Sequence, residues 1–236
     1  MIVAANLKTN LTRKQTKEYI ETLDDFIKTN HIDQESFVFP ATSSLDSFDT
    51  DVTIGAQNAY PVQNGAFTGE IGVDHLDEFG LKTILIGHSE RRHILGETQE
   101  VISQKFDYFK ALGYTIVYCV GEPLEKREAG VSEMMEYIDS QYKGIDTSYE
   151  KLIIAYEPVW AIGTGLTPTN EDIIAIHREL KKKSPAPLLY GGSVKVNNAK
   201  EIMALKNVDG ILVGSAALKV EDFCQMVMFA QELENK

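Results

Sequence analysis

The chain is poor in cysteine, in tryptophan and in positive charge, and it has no long apolar run. Its two cysteines, Cys119 and Cys224, lie far apart and are too few for a disulfide framework. This excludes the small disulfide-stapled secreted folds and suits a reducing compartment. Lys and Arg number 23 against 35 Asp and Glu, a formal charge of -12. Nucleic-acid binding needs clustered basic side chains, and the basic runs here are only Lys181-Lys182-Lys183 and Arg91-Arg92, so no nucleic-acid partner is expected. A small anionic ligand stays possible, because local donors can override the global field. No apolar stretch approaches membrane-spanning length, and Met1 to Lys8 carries no basic lead-in to a signal segment. The expectation is a soluble, cytoplasmic protein that makes no membrane contact.

What is present fits a globular enzyme. The 236 residues are 43% apolar and 25% charged, enough to bury a large core. Short β-type runs recur at Ile2 to Asn6, Phe37 to Pro40, Val52 to Gln57, Thr83 to Gly87, Thr115 to Val120, Leu152 to Glu157, Pro187 to Tyr190 and Gly210 to Val213. Between them, apolar residues fall at helical spacing, as in Tyr19, Leu23 and Ile27 or Ile173, Ile176 and Leu180. Thr12 with Gln15, and Thr169 ahead of Glu171 and Asp172, mark helix starts. Alternating β and α means a parallel sheet. With eight units, no linker and no G-x-G-x-x-G after the first strand, the pattern predicts a single (β/α)8 barrel domain over residues 1–236 rather than an open dinucleotide-binding sheet.

In such a barrel the site lies at the C-terminal ends of the strands. The residues there are polar: Asn6 and Lys8, Gln57 and Asn58, His88 to Glu90, Cys119 to Glu122, Glu157, Gly191 to Ser193, and Gly214 with Ser215. Glycine-rich turns after the last two strands are where barrels often build a phosphate site. A carboxylate, an imidazole and an ammonium around one mouth suit proton transfer next to a carbonyl. Glu157 would take the proton, and His88 and Lys8 would stabilise the oxyanion. This chemistry calls for no metal or cofactor. His88 and His93 stand five apart, not the four of a helical zinc pair.

Each residue also has a plainer reading. A lone Glu is usually a cap or ion-pair acid, a lone Lys is usually solvated, and Cys119 reads as a small core residue. Turn glycines need no ligand to explain them. The long segment Gly55 to Gly72 is either a mobile surface loop or, the reading favoured here, a docking loop with Phe67 and Thr68 at its tip.

Ala155-Tyr-Glu-Pro-Val-Trp-Ala-Ile-Gly-Thr-Gly165, Gly87-His-Ser-Glu-Arg-Arg92, Cys119-Val-Gly-Glu122 and Tyr190-Gly-Gly-Ser-Val194 occur in that order. Together they resemble the triosephosphate isomerase family from end to end. The resemblance implies a TIM barrel that interconverts dihydroxyacetone phosphate and glyceraldehyde 3-phosphate, a step of glycolysis and gluconeogenesis. It implies Glu157 as base, His88 as electrophile and proton shuttle, Lys8 as positive charge and Asn6 as hydrogen-bonding partner. Glu90 would hold Lys8, with Glu97 and Cys119 in supporting places. Pro158, Val159, Trp160, Ala161, Ile162, Gly163, Thr164 and Gly165 would form a lid that shuts out water and protects the enediolate. Gly163, Gly192, Ser193, Gly214 and Ser215 would hold the phosphate. A homodimer is implied, with Gln57, Asn58, Phe67, Thr68 and Gly69 at the interface and the Thr68 loop entering the neighbour near Asn6 and Lys8.

The chain departs from the family at three positions: Leu7 stands for the usual Trp, Thr9 for a frequent Met and Ser215 for a usual second Gly. It is also short after Pro40 and between Leu180 and Pro185, which predicts trimmed outer helices around an intact mouth. Two rival functions stand beside the isomerase. One is another (β/α)8 phosphosugar enzyme, such as a Schiff-base aldolase using Lys8; the other is a non-catalytic phosphate-binding protein.

Overall fold

The computed structural model describes residues 1–162, 166 and 168–235 of the chain. Among these, eight parallel strands form one sheet: β1 (Ile2–Asn6), β2 (Glu35–Phe39), β3 (Thr53–Ile54), β4 (Thr83–Ile86), β5 (Thr115–Val120), β6 (Leu152–Tyr156), β7 (Leu188–Tyr190) and β8 (Gly210–Val213). They pair in the order β3-β2-β1-β8-β7-β6-β5-β4. A parallel bridge from Ala56 to Ile84 joins the two ends, with Ala56 N donating to Thr83 O and Leu85 N to Ala56 O, each at 2.9 Å. The sheet therefore curls into the expected (β/α)8 TIM barrel.

Around it run α1 (Arg13–Thr29), α2 (Val73–Glu78), α3 (Ser89–His93), α4 (Gln99–Ala111), α5 (Leu124–Glu128), α6 (Val131–Gln141), α7 (Asn170–Lys181), α8 (Val196–Met203) and α9 (Val220–Glu234). Two expected starts carry full capping boxes, Thr12 with Gln15 and Thr169 with Asp172. Each box satisfies N–H groups that the first helical turn leaves without partners. α1 buries Tyr19, Ile20, Leu23 and Ile27 along one stripe. Among the described residues no helix is long and apolar enough to cross a membrane.

Two expectations change. β3 is shorter than Val52 to Gln57: its pairing with β2 ends at Ile54, and Gly55 packs so close to the Phe39 ring that a Cβ there would collide with it. The backbone turns there, and Ala56 crosses to β4 instead of continuing beside β2. The outer layer is trimmed after β2, where only a short turn of helix at Thr42–Ser44 follows. It is not trimmed before Pro185: α7 keeps 12 residues, and the economy falls in the connection behind it.

Strand alternation separates two packed layers. Ile2, Ala4, Phe37, Phe39, Leu85, Val117, Cys119, Ile153, Ala155, Leu189 and Leu212 fill the barrel, while the residues between them pack outward beneath the helices. One further step of two along the inward face of β1 gives Asn6, and along that of β6 gives Glu157. The same periodicity that fills the core thus aims both polar groups into the mouth.

Candidate active site

Asn6, Lys8, His88, Glu157, Gly191, Gly192, Ser193, Gly214 and Ser215 line one cavity of about 1020 Å³ at the C-terminal ends of the strands. Glu157 is 2% exposed, and a carboxylate that deep needs partners. It has them. Oε1 lies 3.0 Å from His88 Nε2, and Oε2 accepts the Ser89 N–H at 3.0 Å. Burial works against its charge, but the His88 ring, the Ser89 N–H and Lys8 outweigh it and hold the carboxyl below the usual carboxylate range.

His88 is the cap of α3, and its Nδ1 accepts the Glu90 N–H at 3.2 Å. A nitrogen that accepts carries no proton, so the neutral ring bears its hydrogen on Nε2, facing Glu157. Burial opposes a second proton, while the Glu157 carboxylate favours one and raises the ring's pKa above the ordinary histidine value. That rise depends on the carboxylate staying where it is.

Lys8 lies just beyond β1 with φ of 52°, in the left-handed region, at a cost of about 1–2 kcal/mol. Hydrogen bonds hold it there. Its N–H donates to Asn6 Oδ1 at 3.1 Å, and Gln57 Nε2 donates to the Lys8 carbonyl and the Phe39 carbonyl, each at 2.8 Å. The ammonium meets Glu90 Oε1 at 2.5 Å. On its other side Gly214 leaves room for the lysine stem, since a Cβ there would stand 3.3 Å from Lys8 Cε. Ser215 opens the short Ser215–Ala217 helix and still lines the cavity.

The remaining expected residues divide. Glu97 pairs with Arg91 Nε at 2.6 Å and with the Lys105 ammonium, not with Lys8. Burial brings the Lys105 pKa down in spite of that pairing. Asn58 Oδ1 accepts from Lys105 at 2.6 Å. Cys119 is fully buried in the barrel near Glu157, and burial raises its thiol pKa well above the ordinary value, so it is no nucleophile. Phe67 and Thr68 are exposed, with the Phe67 ring centroid 4.5 Å from that of Tyr60. Gly69 joins Gln57, Asn58, Glu90 and Leu95 along a second cleft, of about 570 Å³, that also reaches Lys8 and His88.

Pro158 leads into a short helix at Val159–Ala161, and Ile162 lines the main cavity. Trp160 Nε1 donates to Glu122 Oε1 at 3.0 Å, beside the Tyr156 hydroxyl at 3.1 Å, and the Val159 N–H meets the Glu122 carbonyl at 3.0 Å. Gly163, Thr164 and Gly165 lie outside the described residues. Among the described residues no group of three or more His, Cys, Asp or Glu is arranged to hold a metal ion.

Leu7 is fully buried in the outer layer and Thr9 is exposed at the second cleft, and neither lines the main cavity. Sequence reading missed the Ser89 N–H, which has no side-chain signal, and Asn10, Lys195 and Asn197, which also line the cavity. Their position just after the β1 and β7 turns was the available cue.

The family model described as triosephosphate isomerase matches residues 1–230. A protein of Sulfurimonas denitrificans named triosephosphate isomerase is 65% identical over 236 residues, covering 100% of this chain and 98% of the relative. One of a Sulfurovum species with the same name is 58% identical, covering 96% and 99%. Another, of Wolinella succinogenes, is 56% identical over 96% and 99%.

Proposed function

The chain belongs to the triosephosphate isomerase family, and from that premise we propose how it interconverts dihydroxyacetone phosphate and D-glyceraldehyde 3-phosphate. The whole chain acts as one catalytic barrel domain. The observation that carries the reading is the Glu157 carboxylate, buried at the mouth and held by groups that a substrate can replace.

At rest, Glu157 is tied to His88 and Ser89. A substrate carbonyl entering the cavity takes over the His88 Nε2–H and frees the carboxylate. Glu157 then stays buried with fewer partners, which makes it a stronger base for a carbon-bound proton. Once the carboxylate turns to the substrate, its hydrogen bond no longer helps to raise the His88 pKa, while burial and Lys8 still lower it. Burial and the Glu90 N–H then keep the imidazole neutral, a donor to the developing enediolate oxygen. Lys8 and Asn6 add positive charge and a hydrogen bond, and one such donor is worth about 10² to 10³ in rate. Glu157 returns the proton to the neighbouring carbon, so the isomerisation needs no net change in the enzyme.

The backbone at Gly192, Ser193, Gly214 and Ser215 takes the phosphate, together with Gly163 of the lid. The segment from Pro158 to Gly165 closes over it and excludes water. Two chains pair through Gln57, Asn58 and the Phe67 to Gly69 loop, and the active protein is a cytoplasmic homodimer. The test is turnover in deuterated water. The isomerase interconverts the two triose phosphates without a second carbonyl substrate, and deuterium enters the receiving carbon in those turnovers where Glu157 exchanges its proton with solvent before returning it. Failure to interconvert the two triose phosphates in a folded protein, or an inactive adduct of Lys8 trapped by borohydride with substrate, sinks the reading, the second in favour of an aldolase.

A further inference from the structure

Three main-chain segments converge on the His88 and Glu157 pair. They are the Gly87 to His88 step after β4, the Cys119 to Gly121 stretch at the end of β5, and Glu157 itself after β6. One connected set of polar side chains behind the cavity ties the first two directly, and the third through the backbone of β5. Arg92 Nε donates to the Gly87 carbonyl at 2.6 Å, and Nη2 donates to the Cys119 carbonyl at 3.1 Å and the Tyr118 hydroxyl at 3.0 Å. Arg92 Nη1 donates to Gln99 Oε1 at 2.8 Å. Gln99 Nε2 passes the connection on to the main-chain carbonyls of Gln141 and Lys143, at 2.8 and 2.9 Å, at the end of α6. The Gln141 side chain then closes the set: Oε1 accepts the Gly121 N–H at 2.8 Å and Nε2 donates to the Gly121 carbonyl at 3.0 Å, both buried.

Gly121 lies directly against the base. Any side chain on it would collide with the Glu157 carbonyl, and the Glu157 N–H is bonded to the Val120 carbonyl at 2.7 Å. A shift of Gly121 is therefore passed to the Glu157 backbone. The electrophile is fixed in a comparable way, since a Cβ on Gly87 would stand 2.6 Å from Arg92 Nη2. Arg92, Gln99 and Gln141 do not line the substrate cavity.

We propose that Arg92 and Gln141 are positioning residues for the isomerisation, holding the backbones of His88 and Glu157 so that base and electrophile face the same pair of substrate carbons. This rests on the acid–base roles given above. The two carbons that exchange the proton are adjacent, so the base must serve both from one backbone position. A misplacement of about 1 Å costs about 10²-fold in rate.

The test compares wild type with Glu157→Gln, Gln141→Met, Gln141→Glu and Arg92→Lys, measuring kcat and KM for glyceraldehyde 3-phosphate beside the circular dichroism spectrum. Gln141→Met loses both bonds to Gly121, and Arg92→Lys keeps the charge but loses the fork. The expected result is a kcat lower by about 10- to 100-fold with KM within about threefold, in a folded protein. Gln141→Glu supplies a readout that a merely structural role does not move. Its carboxylate accepts the Gly121 N–H but repels the Gly121 carbonyl, whereas the protonated acid makes both bonds. Because burial raises such a pKa, its kcat relative to wild type should climb from about pH 8 to about pH 5 while that of Gln141→Met stays level. Wild-type kcat in the Gln141 and Arg92 variants beside an inactive Glu157→Gln overturns this inference alone. A flat ratio for Gln141→Glu, or kcat falling only in step with the folded fraction, overturns it as well. Full activity in Glu157→Gln overturns the acid–base assignment and the inference with it.

Discussion

His88 Nε2 stands 3.0 Å from Glu157 Oε1 while its Nδ1 accepts the N–H of Glu90, so one ring is held by the base on one side and by its own helix on the other. Replacing it separates two effects. His88→Gln keeps a donor of different reach and should lower kcat by about 10² to 10³. It also removes the imidazole's charge, the strongest influence that lowers the Glu157 pKa, so that pKa rises. The base works above its pKa, and the acid limb of kcat/KM that belongs to Glu157 should therefore move to higher pH. An acid limb that stays in place or moves down contradicts the pairing.

His177 makes a prediction about stability rather than catalysis. It is buried against Tyr156 and Tyr190, its Nδ1 bonds to the Asn207 carbonyl at 2.9 Å, and its Nε2 has no hydrogen-bond partner among the described residues. A carbonyl can only accept, so Nδ1 carries the single proton. Burial brings its pKa from 6.5 down to about 4. The unfolded chain binds the extra proton first, so stability from this residue is complete above the unfolded value and drains away as pH falls toward the folded one. The loss is about 3 kcal/mol in all. Urea midpoints across that range should slope steeply in wild type and less in His177→Phe. Equal slopes refute the assignment.

The proposed dimer predicts a mass of two chains by light scattering. Thr68→Glu places a charge at the loop tip and should shift the protein toward monomers, with turnover falling alongside. A wild type that is fully active as a monomer contradicts the pairing.

The barrel was legible because its strands are short apolar runs whose inward and outward residues both stay dry. β1, β5 and β8 begin and end where the runs do. β3 was overextended because Val52 to Gln57 reads as continuous strand, while the transfer of Ala56 to β4 is a tertiary pairing that the local run does not mark. Asn6 and Glu157 were legible for the same reason as the core, since each continues an inward face by one step. Arg92 and Gln141 were not. Arg92 sits inside a motif but acts on carbonyls after two different strands, and Gln141 reaches back 20 positions to Gly121. Side chains that serve distant backbone leave no periodic mark in the sequence. The partners of Glu97, Arg91 and Lys105, were not legible either, because they stand on different helices.

The most direct measurement is turnover of glyceraldehyde 3-phosphate in a coupled assay, with wild type beside Glu157→Gln. The geometry predicts rapid turnover in wild type and a fall of about 10² to 10⁴ or more in the variant, with the circular dichroism spectrum unchanged. Undiminished turnover in Glu157→Gln, or none in a folded wild type, would contradict the assignment of Glu157 as the base.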